Sequence, residues 1–123
     1  MLKYEARVST IGPYTQEFLD HNIIVLFGDN APEELVEFSV IHDGKELHDE
    51  IQAGDIVQID DEQFSILAVG EVANDNFRNL GHLVLKFNGA DEVEMPGDVC
   101  VEKRPLPPIA VGTVIKVFDT KAQ

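Results

Sequence analysis

Residues 36–54, VEFSVIHDGKELHDEIQAG, set the reading of the chain. Phe38, Val40 and His42 share one parity, and Ser39 and Ile41 the other. Residues two apart on a strand project to the same face. The run therefore reads as a strand whose last side chain is His42, in line with Phe38 and Val40. Asp43-Gly44 then turns the chain. A histidine at the rim of a sheet can have one nitrogen held by the protein and the other facing solvent, which makes His42 a candidate for chemistry.

The same period continues outward. Leu2, Tyr4, Ala6 and Val8 alternate with Lys3, Glu5, Arg7 and Ser9, a strand with one wet face. Residues 23–27, IIVLF, form a short apolar run suited to a buried strand. Ile56, Val57 and Ile59 pair as a hairpin with Phe64, Ile66 and Ala68 across the polar tip Asp60-Asp61-Glu62. Two segments break the pattern. Asn30 as cap, Pro32 in the first turn and Glu33-Glu34 at the positive end of the dipole mark one helix start. Residues 72–81, VANDNFRNLG, mark a second, with Asn74 or Asp75 as cap and Gly81 as a left-handed C-cap. Further strands follow around Leu83, Val99 and Val114. About seven or eight short strands and one or two short helices predict an all-β, antiparallel closed barrel or barrel-like sandwich.

Length and composition bound the rest. The chain has 123 residues, 44% of them hydrophobic, which predicts one folded domain spanning 1–123. Its 23 acidic and 9 basic residues leave a net charge of -14. That charge repels phosphate backbones and anionic lipid, so nucleic acid and membrane surfaces are disfavoured as partners. A protein with a basic contact face is favoured. Cys100 is the lone cysteine, which rules out an intrachain disulfide. The first residues, MLKYEARVST, hold no apolar leader, and no run approaches a membrane span. A cytoplasmic location is expected.

Four histidines carry the candidate chemistry: His21, His42, His48 and His82. His21 and His48 lie in polar, charged surroundings and read as solvated. His42 and His82 each sit at a strand end beside a glycine-bearing turn, where exposed N–H groups can cradle an anion. A zinc site using His42, His48 and His82 competes, but HExxH spacing and paired cysteines are both absent. No GxSxG turn or GxxxxGK[ST] loop is present.

Ala31-Pro32 through Ile41-His42, Gly44-x-x-Leu47, and Val69-Gly70-x-Val72-Ala73-x-Asp75-Asn76-x-x-x-Leu80-Gly81-His82 together form an unusual set. With Phe87-Asn88-Gly89 and Pro96-Gly97, they make the chain resemble the glucitol/sorbitol-specific enzyme IIA component of the sugar phosphotransferase system, over nearly its whole length. Related chains can carry an extra residue where Asp43-Gly44 here follows His42 directly. The resemblance implies a cytoplasmic phosphotransferase component that takes a phosphoryl group from phospho-HPr on a histidine. It passes the group to the sugar-specific IIB component of the IIB/IIC membrane assembly for glucitol/sorbitol uptake. The phosphoacceptor maps to His42. Backbone N–H groups of Asp43, Gly44 and Lys45 are expected to receive the phosphoryl oxygens, with His82 as a second site residue, and no metal or other cofactor is called for. Two alternatives stand beside it. A non-catalytic regulatory or protein-binding domain predicts no acid-labile phosphate on His42. A His-ligated metal-dependent enzyme predicts stoichiometric metal. The oligomeric state is left open.

Overall fold

Alternation in β1 (Leu2–Ile11) buries Tyr4, Ala6 and Val8, as the period predicts. The structure, a computed structural model, describes residues 1–120. After β1 come α1 (Thr15–Asp20), β2 (Ile23–Gly28), α2 (Glu33–Val36), β3 (Val40–His42), β4 (Ile56–Ile59) and β5 (Glu62–Val69). Then follow α3 (Ala73–Leu80), β6 (Leu83–Lys86), β7 (Asp98–Val101) and β8 (Val114–Phe118). The eight strands close into a barrel in the order β1-β3-β2-β6-β7-β5-β4-β8.

The barrel is mixed where the sequence pointed to antiparallel pairing. β2 runs parallel to β3, and β6 parallel to β7. Parallel neighbours need a crossover. Residues 29–39, with α2, and residues 87–97, with Pro96-Gly97, supply the two. The buried stretches of β2 and β7 suit parallel pairing.

Inward side chains fill the barrel, with Phe64 edge-on to Phe87 at 5.0 Å between centroids. α3 closes one end by lowering Phe77 onto Tyr4, 4.1 Å between ring centroids.

Four local expectations are corrected. Phe38 is not part of β3: its N–H still bonds Leu35 O at the end of α2, and its ring is exposed. Asn30 does not cap α2, whose N-cap position is Pro32. The α3 N-cap is Val72, and Asn74 instead bonds the Ile51 backbone through both amide atoms (2.8 and 3.0 Å). Lys3 leaves the wet face because residues 48–55 fold over it. Its ammonium reaches Asp55 and Glu50 O, at 2.8 and 2.7 Å. A register irregularity between Leu2 and Tyr4 marks that point of β1.

Candidate functional site

His42 ends β3, opposite Val8 of β1 and Gly28 of β2. The β1–β3 register shifts between Val8 and Thr10, immediately beside this pair. Bulges of this kind re-aim side chains next to active sites. The imidazole points into the barrel end, where it meets the edge of Tyr4 (5.8 Å) and lies 6.3 Å from Phe77.

The predicted solvent-facing nitrogen is not there: His42 has 0% exposure. The reason is the turn itself. Gly44 folds back over the ring and its N–H donates to Nδ1 at 3.1 Å. Nε2 lies 2.8 Å from Gly81 O. A carbonyl only accepts, so the proton sits on Nε2 and the lone pair on Nδ1. Burial pushes the His42 pKa below its ordinary value, against the Gly81 carbonyl and the charges of Asp43 and Asp29. The ring is neutral at pH 7, and its nucleophilic nitrogen is Nδ1.

Two glycines make this packing fit. Gly81 has φ +63, and a Cβ there would come within 2.8 Å of Gly28 N and 3.0 Å of His42 Cε1. A Cβ at Gly44 would come within 2.5 Å of the Tyr4 ring.

Tyr4, Gly28, Asp29, Gly44, Lys45, Arg78 and Gly81 enclose a cavity of about 200 Å³ beside His42. Lys45 Nζ holds Asp29 at 2.5 Å at its mouth, and that bond keeps the Asp29 carboxyl below the usual range. Burial, with Asp43 and Asp29, pushes the Tyr4 phenol up to about 12, so it stays a donor. Tyr4 escaped the sequence reading. Its inward parity was legible, but nothing in β1 alone shows which residue it faces.

The predicted cradle is only partly assembled. Gly44 N–H is on the imidazole, whereas Asp43 N–H is spent on Arg7 O (3.1 Å) and Asp43 Oδ1 on Arg7 N–H (2.8 Å). His82 stacks on Phe27 at 4.2 Å and its Nδ1–H donates to Leu26 O at 3.1 Å. It lines a separate apolar groove and not the cavity beside His42. His21 bonds Glu17 O on α1, and His48 sits near Glu46. Among the described residues no group of three or more His, Cys, Asp or Glu side chains converges to hold a metal. No helix among them is long and apolar enough to cross a membrane.

Residues 3–116 match the family model of the PTS system glucitol/sorbitol-specific IIA component. The glucitol/sorbitol-specific EIIA component of Escherichia coli is 34% identical over 118 residues, covering 96% of each chain, and that of Shigella flexneri matches to the same extent. The crystal structure of a PTS system IIA component from Enterococcus faecalis superposes with a TM-score of 0.77 at 27% identity. That match covers 90% of this chain and 96% of the other. Family match, identity and barrel agree: the chain belongs to the glucitol/sorbitol-specific IIA components of the sugar phosphotransferase system.

Proposed function

We propose that this chain is a cytoplasmic phosphoryl carrier of a sugar phosphotransferase system. It takes the group from phospho-HPr on His42 and passes it to the IIB component that serves glucitol/sorbitol uptake. The carrying observation is the fixed tautomer of His42, with Nε2–H on Gly81 O and an unprotonated Nδ1 that accepts from Gly44 N–H.

The Nδ1 lone pair attacks the phosphorus of the donor's phosphohistidine in line. The new N–P bond forms as the old one breaks, and the electron pair of the broken bond returns to the donor imidazole. The Nε2 proton stays in place, and Gly81 O offsets the positive charge that develops on the ring. Gly44 N–H moves from Nδ1 to a phosphoryl oxygen, which requires the turn after His42 to shift outward. Lys45 Nζ and the Tyr4 phenol, which border the cavity, offset the added negative charge. Transfer onward to IIB reverses the same step. His82 enters as support: its hydrogen bond to Leu26 O and its stacking on Phe27 hold the adjoining Gly81 behind the ring.

The test is intact-mass spectrometry after incubation with enzyme I, HPr and phosphoenolpyruvate, with His42→Ala in parallel. A phosphoryl-sized gain, lost in acid and absent in the variant, is expected. A gain that survives in His42→Ala removes His42 as acceptor, and no gain with competent HPr leaves a binding domain.

A further inference from the structure

The turn that covers His42 is tied down by an exposed ion pair. Asp43 N–H donates to Arg7 O and His48 N–H to Lys3 O (3.1 and 2.9 Å), so β1 pins the chain on both sides of residues 44–47. Between the pins, Gly44 N–H is held by His42 Nδ1 and the Lys45 ammonium by Asp29. Asp29 stands there for a topological reason. Gly28 and His42 are register partners on parallel strands, so the chain leaves both strands at the same barrel end. The nearer carboxylate in sequence, Asp43, is committed elsewhere, because its Oδ1 accepts from Arg7 N–H. The Asp29 charge also acts on the imidazole and on the Tyr4 phenol, which puts it within range of whatever sits on Nδ1.

We propose that Asp29 is a positioning residue for phosphoryl transfer: it latches Lys45, and with it the Gly44 turn, over His42, and releases Lys45 to the phosphoryl group once that group is on Nδ1. The inference rests on the carrier reading. As the bond from Nδ1 to phosphorus forms, the donor's N–P bond breaks and its electron pair returns to the donor imidazole. No proton moves in the exchange that follows: Lys45 stays an ammonium and changes its anionic partner. Two features favour that exchange. The pair is exposed, 53% at Asp29 and 66% at Lys45, and exposed pairs are weak and open readily. A phosphoryl group carries close to two negative charges on three acceptor oxygens, so it holds the ammonium more strongly than a carboxylate does. Asp29 then faces the phosphoryl group across the cavity mouth with the same sign of charge. That repulsion raises the energy of the loaded state and favours passing the group on.

Two measurements test this on the full chain and on Asp29→Asn, Asp29→Glu and Lys45→Gln. Both positions are exposed, so melting temperatures should not move. The first measurement is the equilibrium partition of the phosphoryl group between HPr and this chain. Asp29→Asn should shift it toward the chain about fivefold and Lys45→Gln away from it, while Asp29→Glu should match the native chain. In the Lys45→Gln background the Asp29→Asn shift should shrink to about half. The second is acylation of His42 by diethyl pyrocarbonate, read by peptide mass, which needs no phosphoryl donor. Asp29→Asn and Lys45→Gln should each speed it about threefold by unlatching the turn. An unchanged partition in Asp29→Asn, a shift toward HPr, or a shift of equal size with and without Lys45 overturns the proposal. So does acylation at the native rate in both variants. A native chain that accepts no phosphoryl group, with acylation speeded as expected, overturns the carrier reading and leaves the latch standing.

Discussion

The Gly81 carbonyl stands 2.8 Å from Nε2 of His42, across 39 residues of sequence, and decides which ring nitrogen can react. A proton held there leaves Nδ1 unprotonated, and under the proposed carrier role Nδ1 is the acceptor. Nitrogen-15 NMR of the phosphorylated chain should show the phosphoryl group on Nδ1. A resonance pattern for Nε2 phosphorylation would sink the tautomer argument.

Gly81→Ala tests the space behind that bond. The added Cβ meets Gly28 backbone at 2.8 Å and His42 Cε1 at 3.0 Å, at a φ of +63 that alanine disfavours. A loss of about 2 kcal/mol in urea unfolding is expected, with slower phosphorylation. An unchanged midpoint would show that β2 and α3 part freely.

The His42 pKa is lowered by burial, so its contribution to stability has a definite sign. The unfolded chain takes up this proton near 6.5 and the folded chain only at lower pH. Stability from this group is full above 6.5 and is lost as pH falls from there toward the folded value. His42→Gln should flatten that part of the stability profile relative to the native chain. Parallel profiles would mean the imidazole is solvated. Phosphorylation by HPr should likewise hold steady through neutral pH and fall only on the acid side.

Lys3 and Asp55 form a buried pair at 2.8 Å, 3% and 6% exposed at their side chains. Lys3→Met strands the Asp55 carboxylate with Gln52 N–H as its remaining partner, and leaves Glu50 O without its ammonium. A cost of about 3 kcal/mol in chemical denaturation is expected. Lys3→Met combined with Asp55→Leu should recover part of it. A double variant as weak as the single one would refute a charge-burial cost.

Much of the barrel was legible in local pattern. The alternation in residues 4–8 and the turn at Asp60-Asp61 both lie where the periods put them, because the pleat has a period of two. Gly81 is the left-handed C-cap that its place after Leu80 implied. Phe38 was misread because an apolar residue of the right parity beside a strand carries no mark that a helical turn ends there.

Residue type and local period thus determined the strands, α3 and the acidic charge, since each depends on near neighbours along the chain. The tertiary structure alone decided the rest. Parallel pairing of β2 with β3 and of β6 with β7 depends on which strands meet after a crossover. The nucleophilic nitrogen of His42, its burial under Gly44 and the company of Tyr4 depend on chain closure that brings β1, β3 and the end of α3 together. Local sequence encodes which way a side chain points, and only the closed barrel supplies what it points at.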